Sequence, residues 1–146
     1  MVEIISLTSE RAGKLQDFLE QIFGIEYRAL TDQYIRCMFS SDYRRPTFLV
    51  ALKDGKVIGS AAYSEEIFTV DVWGISWVAV APDYRHQGIG QRLIDACLSE
   101  ISATAKHPVT VILATYPQKT QLYEKVGFAK ACQTHEDGWF MAKSLK

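Results

Sequence analysis

The segment from Val78 to Ile101, VAVAPDYRHQGIGQRLIDACLSEI, constrains the fold of this chain more than any other. An apolar run with β-branched residues ends at Pro82, a charged turn follows, and Gly88 and Gly90 precede an amphipathic helical stripe. Glycine costs a helix about 1 kcal/mol relative to alanine, so two glycines at a helix start need a reason. A helix N-terminus presents unpaired N–H groups and about half a positive charge, which makes it an anion site. The segment therefore predicts a strand, a turn and a helix whose glycines let a phosphate approach the backbone.

Other phosphate-binding loops do not match this pattern. No Gly-Lys-Ser/Thr follows, so the loop is not a Walker loop, and the glycine spacing is wrong for a dinucleotide fingerprint. Arg85 adds a fixed charge that can pair with phosphate oxygens. The alternative interpretation is a helix start whose glycines serve only tight packing.

The remaining segments alternate between strand and helix patterns. Val2–Leu7 predicts a strand, two helices follow, and Asp54-Gly55 marks the turn of a hairpin. Further along, the chain predicts strands over 71–80 and 109–115, a short helix between Pro117 and Gly127, and a closing antiparallel pair over 128–134 and 138–145. The order βααβββαβαββ predicts a single α/β domain over residues 1–146, with one mixed sheet covered by helices.

Composition excludes several function classes. A formal net charge of −1 gives no reason to expect nucleic acid or an anionic membrane as a partner. The sequence has no apolar run of about 18 residues and no basic-then-apolar N-terminus, so we expect no membrane span and no secretion signal. Cys37, Cys97 and Cys132 fit neither a disulfide framework nor a zinc pattern. We therefore expect a cytoplasmic protein.

Two motifs resemble those of the GNAT superfamily of N-acetyltransferases. Arg85, Gly88 and Gly90 match its acyl-coenzyme A motif, Arg/Gln-x-x-Gly-x-Gly/Ala after a strand ending in Val-x-Pro. Leu122–Phe128, LYEKVGF, resembles its later Tyr-x-x-x-Gly-Phe segment. The resemblance implies a central, mostly antiparallel sheet of about seven strands with a splay between the fourth and fifth, flanked by about four helices.

The resemblance also implies roles for individual residues. The backbones of Val78 and Val80 would pair with pantetheine, and Tyr123 would be the general acid that protonates the leaving thiolate. A core tyrosine is the alternative role for Tyr123. Tyr116 stands where the family often has an asparagine that touches pantetheine, and Lys119 replaces a frequent alanine. The pyrophosphate would rest on the loop formed by Arg85, His86, Gln87, Gly88, Ile89 and Gly90. As in the family, no metal is expected.

The general base is not identified by the motifs. Many relatives carry a glutamate where this chain has Ser76, which is no base at neutral pH. Glu65, Glu66 and Asp71 are the upstream candidates, and the sequence does not choose among them. Aromatic residues in the regions that would border the acceptor could form an apolar floor, although core packing is their alternative role: Phe23, Tyr27, Tyr34, Tyr63, Trp73 and Trp77.

These features predict an acetyl-coenzyme A-dependent N-acetyltransferase acting on a primary amine of a small molecule or peptide, by direct attack in a ternary complex. One alternative is an acyl-coenzyme A-binding module with weak catalysis, acting as a sensor or partner subunit, which Ser76 favours. Another is a nucleotide-phosphate binder. A homodimer through the C-terminal strands is common in the family, and the apolar residues Trp139, Phe140 and Met141 permit it.

Overall fold

The computed structural model describes residues 1–146 and contains the eleven helices and strands in the predicted order. Four short 3₁₀ turns connect some of them. The elements are β1 (Glu3–Ser6), α1 (Ala12–Phe23), α2 (Arg28–Met38), β2 (Thr47–Lys53), β3 (Lys56–Glu65), β4 (Val72–Val80), α3 (Ile89–Thr104), β5 (Val109–Thr115), α4 (Thr120–Lys125), β6 (Ala129–Gln133) and β7 (Trp139–Leu145). The predicted mixed α/β fold is confirmed.

All seven strands form one sheet in the order β1-β2-β3-β4-β5-β7-β6. Only β4 and β5 run parallel, because α3 connects them as a crossover. The last strand, β7, lies between β5 and β6, so both of its edges are paired. The free edge at this end of the sheet is therefore β6, whose five residues are all exposed.

The parallel pair is short, and the sheet opens beyond it. β4 pairs with β5 only at Val72 with Thr110, Trp73 with Val111 and Gly74 with Ile112. Beyond Gly74 no residue of β4 pairs with β5, while β4 stays paired with β3 as far as Val80. The splay between the fourth and fifth strands is therefore present, and we call this space the gap.

The sheet separates two hydrophobic cores. On one face, α3 and α4 cover a core that includes Trp73, Ile75 and Leu93. On the other face, α1 and α2 cover a core that includes Leu19, Phe48 and Ala62. A side chain of β3 or β4 therefore points into one core or the other according to its place in the strand.

A bulge in β4 changes this alternation. Ala62 pairs with Ser76 and Ser60 pairs with Ala79, so β4 has one more residue than β3 between the two pairs. Trp77 lies in the bulge with φ +52°, an uncommon conformation for a bulky residue, and its carbonyl accepts a 2.8 Å hydrogen bond from Ser60 Oγ. The bulge directs Ser76 and Trp77 toward the α1–α2 face in succession.

None of the helices has the length and apolar character that a membrane span requires.

Candidate active site

The loop before α3 has the conformation of an anion-binding nest. Gly88 is the N-cap of α3 with φ +81°, and His86 has φ +62°. Both residues are exposed, and a Cβ on Gly88 would meet no atom within 4 Å. Left-handed residues among right-handed ones turn successive N–H groups toward one concavity, which here adjoins a helix N-terminus.

The two glycines have different physical roles. Gly88 is required by its left-handed backbone, a conformation that costs residues with a side chain. Gly90 lies inside the first turn of α3, where a Cβ would be 3.5 Å from Leu122 Cδ2 and 3.7 Å from Val80 Cγ2, which is ordinary contact. The sequence predicts the removal of Cβ atoms as the role of both glycines, whereas for Gly88 the stronger reason is its φ angle.

The other loop residues divide between side-chain and backbone contributions. Arg85 Nε donates a 2.9 Å hydrogen bond to the Val80 carbonyl, which holds the guanidinium at the end of β4. Gln87 is exposed, whereas the Ile89 side chain is buried in the α3 core and leaves only its backbone for a ligand. Partial burial and the nearby Arg85 charge lower the pKa of Lys119. Two cations from different elements thus lie close together at the mouth of the gap.

Val78 and Val80 offer their backbone groups to the gap. The Ala81 N–H donates to Ile58 O on β3 at 2.8 Å, and Ala79 pairs with Ser60 on the same strand. Strand alternation then directs the N–H and C=O groups of Val78 and Val80 away from β3, toward the gap, where the Val80 carbonyl already accepts from Arg85 Nε. Their side chains pack against the α3 core, which leaves their backbone groups as the part that borders the gap.

Tyr123 lies beside the gap, in α4, and is buried. Its ring packs edge-to-face on Phe128 with a centroid distance of 6.1 Å. Burial raises the pKa of Tyr123 to about 12, against a smaller opposing effect of the Thr115 hydroxyl at the end of β5. The phenol therefore keeps its proton at neutral pH. Tyr116, one residue after β5, is 53% exposed.

The aromatic residues do not form one floor. Trp77 contacts Phe23 of α1 and Tyr34 of α2 edge-to-face, with centroid distances of 5.3 and 5.7 Å. Tyr63 and Trp73 pack together in the α3 core on the opposite face. The bulge is the reason: residues four apart share a face in a regular strand, and the extra residue directs Trp73 and Trp77 to opposite faces.

One feature of the site had a weak signal in the sequence, and another had none. A glycine inside a strand, such as Gly74, often marks a bulge or a close approach of other atoms. The conformation of Trp77 depends on how β3 and β4 pair, which the sequence does not state.

No group of three or more His, Cys, Asp or Glu side chains lies where it could hold a metal ion.

Comparisons with known proteins agree with this geometry. The family model described as "Acetyltransferase (GNAT) domain" matches residues 44–130. A GNAT-family acetyltransferase from Streptococcus pneumoniae has a TM-score of 0.81 at 16% identity, with all of both chains covered. A GNAT-family acetyltransferase from Staphylococcus aureus Mu50 has a TM-score of 0.79 at 16% identity, again with all of both chains covered.

A third similar structure is an aminoglycoside 6′-N-acetyltransferase complexed with coenzyme A. Its TM-score is 0.79 at 14% identity, with 97% of this chain and 96% of that one covered. No curated protein sequence is significantly similar to the chain. Since the family model covers more than half of the residues, the chain belongs to the GNAT family of acetyltransferases.

Proposed function

We propose that this protein is an N-acetyltransferase that moves an acetyl group from acetyl-coenzyme A to a primary amine of a small molecule or peptide. The observation that carries the proposal is the left-handed Gly88 loop at the start of α3, beside the gap between β4 and β5. Residues 1–146 act as one catalytic domain in the cytoplasm, and the amine attacks the thioester directly within a ternary complex. Family membership supports acyl transfer in general.

The cofactor fits the described surface in two parts. The backbone N–H groups between Arg85 and Gly90 suit a pyrophosphate, because the nest and the helix N-terminus both favour an anion. Arg85, Lys119 and the exposed His86 and Gln87 surround that position. The backbones of Val78 and Val80 suit the amide-bearing pantetheine arm, and Tyr116 lies at the mouth of the gap. When bound, acetyl-coenzyme A supplies an activated acetyl thioester.

Tyr123 acts on the leaving sulfur. Its phenol is protonated, and its pKa of about 12 makes it a hydrogen-bond donor that does not ionise in the working range. A thiol with a pKa of about 8.5 is a stronger acid than this phenol, so Tyr123 does not lose its proton to the thiolate unaided. Its hydrogen bond stabilises the departing sulfur. The proton passes to sulfur as Tyr123 takes another from the reacting nitrogen.

The acceptor approaches from the α1–α2 face. Phe23, Tyr34 and Trp77 form an aromatic wall there, and Tyr34 is 39% exposed. Such a wall suits an amine with an apolar or aromatic body, and aromatic faces also attract cations. This wall and the family membership support an amine as the acceptor.

A second candidate function is an acyl-coenzyme A-binding module with weak catalysis. The observation in its favour is that Val72–Val80 and Val109–Thr115, the strands that border the gap, contain no charged residue. Release of coenzyme A thiol with a panel of amines distinguishes the two, because the module would bind the cofactor without turnover.

Calorimetric titration with acetyl-coenzyme A, with ATP as a control ligand, tests the binding site first. We expect micromolar affinity for acetyl-coenzyme A and none for ATP. Gly90→Glu is the matched variant, because it places a bulky negative charge beside the loop, and it should abolish binding. Unchanged affinity of Gly90→Glu would remove the loop from the site, and equal affinity for ATP would favour a nucleotide-phosphate binder.

A further inference from the structure

An acyl transfer to an alkylamine needs a base that the strands bordering the gap do not supply. The amine is protonated at neutral pH and must lose a proton before its nitrogen can attack. β4 and β5 contain no charged side chain, and Ser76, exposed on the α1–α2 face, does not accept that proton. A carboxylate that serves as this base has to come from an adjoining segment.

The Glu66 carboxylate lies on the acceptor side of the sheet. The Glu66 N–H donates to Val72 O at 2.9 Å, which fixes the residue just beyond β3. A Cβ on Gly74 would collide with Glu66 Oε1 and would be 3.3 Å from its Cδ. Gly74 pairs with Ser64, two residues from Ala62, so this position faces the α1–α2 core. The missing side chain of Gly74 is what makes room for the carboxylate.

The position of Glu66 along the sheet is also suitable. Gly74 is the last residue of β4 that pairs with β5, so the carboxylate lies where the gap begins. Ser76 is two residues further along the same face, a distance of about 6.6 Å at the usual rise of a strand. A water molecule or the Ser76 hydroxyl can connect an amine in the gap to the carboxylate. No ion pair of the chain includes Glu66.

The other two upstream carboxylates are excluded by their positions. Glu65 pairs with Trp73, whose ring is in the α3 core, so Glu65 faces the opposite side of the sheet. Asp71 Oδ1 lies 3.7 Å from His107 Nδ1, and the Asp71 carbonyl accepts from Thr110 at the start of β5. Asp71 is thus at the paired end of the two strands, away from the gap.

We propose that Glu66 is the general base of the reaction and that the acceptor is a primary alkylamine, which is cationic when it binds; this inference rests on the proposed N-acetyltransferase function. The ammonium group gives its first proton to a Glu66 oxygen. Its lone pair then forms the N–C bond to the acetyl carbon while the C–S bond breaks. The second surplus proton on nitrogen reaches sulfur through Tyr123, and Glu66 returns its proton to solvent.

On the two helices of this face, Asp17, Glu20 and Asp32 are held in ion pairs with Arg28. From α2, Tyr34 faces the bulge, and Glu26 follows α1 with its carboxylate beside Gly24. Tyr123 lies across the gap on α4. The pH dependence of amine acetylation is therefore expected to respond to Glu66.

Two acceptors of similar size test the assignment: 2-phenylethylamine, which is protonated at neutral pH, and aniline, which is not. For Glu66→Gln we expect kcat/KM for 2-phenylethylamine to fall by about 10²-fold at pH 7, and the loss to shrink as the pH rises. The rate with aniline should change little. Glu65→Gln, on the opposite face, is the matched control and should behave as the unchanged protein with both amines.

The outcomes separate this inference from the proposed function. Full activity of Glu66→Gln with 2-phenylethylamine, or an equal loss with both amines at every pH, overturns the Glu66 assignment alone. No thiol release by the unchanged protein with any primary amine of a broad panel overturns the N-acetyltransferase function, and the Glu66 assignment with it.

Discussion

Gly88 and Gly90 are two residues apart, but their backbones differ. Alanine at position 88 must adopt the left-handed conformation, so we expect Gly88→Ala to lower the free energy of unfolding by about 1 kcal/mol. Alanine at position 90 is in a helical turn with ordinary contacts, so Gly90→Ala should be neutral or stabilising by up to about 1 kcal/mol. Urea unfolding of both variants measures the difference. Equal free energies of unfolding for the two variants would mean that the loop leaves its left-handed conformation at position 88 without cost.

At Tyr123, removal of one oxygen atom separates catalysis from packing. Tyr123→Phe keeps the ring against Phe128 and removes the proposed proton donor, so turnover should fall by about 10²-fold with little change in acetyl-coenzyme A affinity. Because the pKa of Tyr123 is raised to about 12, the phenol stays protonated and active as the pH rises. The unchanged protein should thus show no loss of activity from Tyr123 below about pH 10. Turnover and calorimetry together check this, and an unchanged turnover limited by chemistry would exclude Tyr123 from the mechanism.

Among the elements, α1 and α2 are joined by a single guanidinium. Arg28 Nη1 lies 3.0 Å from Asp17 Oδ1 and 3.4 Å from Glu20 Oε1, both on α1, and its Nε lies 3.0 Å from Asp32 Oδ1 on α2. The same two helices carry Phe23 and Tyr34 to Trp77. Arg28 thus helps to hold the aromatic wall that we propose for the acceptor side.

We therefore expect Arg28→Ala to raise KM for the amine several-fold while the affinity for acetyl-coenzyme A stays the same. The difference in KM between Arg28→Ala and the unchanged protein should shrink at high salt, because salt screens exposed ion pairs. Arg36→Ala, which changes an exposed cation of α2 outside these ion pairs, is the control. Steady-state kinetics with each substrate varied in turn gives both constants, and a parallel loss of acetyl-coenzyme A affinity would contradict the assignment.

The sequence predicts the strands and helices better than it predicts which face of the sheet a side chain occupies, and β4 shows why. Its apolar run and the glycine motif locate the strand, the loop and α3, because these depend on neighbouring residues. The sequence predicts an acceptor floor that includes both Trp73 and Trp77, whereas the bulge that directs them to opposite faces depends on pairing with β3. For the same reason the sequence could not choose among Glu65, Glu66 and Asp71, since the choice depends on which face each occupies.

For the whole molecule, the gap links stability to the ligand. A ligand that binds only the folded state stabilises it by about 2.7 kcal/mol at a concentration of 100 times its Kd. For a domain of this size that corresponds to a rise in Tm of about 5–10 °C. We expect acetyl-coenzyme A to produce this rise in Tm. ATP should not raise the Tm, and acetyl-coenzyme A should not raise the Tm of the Gly90→Glu variant. A scan without any shift at saturating acetyl-coenzyme A would contradict the site.

The three-residue pairing of β4 with β5 has a consequence for the lifetime of the protein in a cell. The four N-terminal strands and the three C-terminal strands meet in the sheet only through Val72–Gly74 and their partners. Without a bound cofactor this boundary is the place where amide hydrogens of the sheet should exchange fastest, and where proteases should first gain access. If acetyl-coenzyme A fills the gap, the abundance of the protein follows the supply of its own acetyl donor, and starvation removes the catalyst together with its substrate.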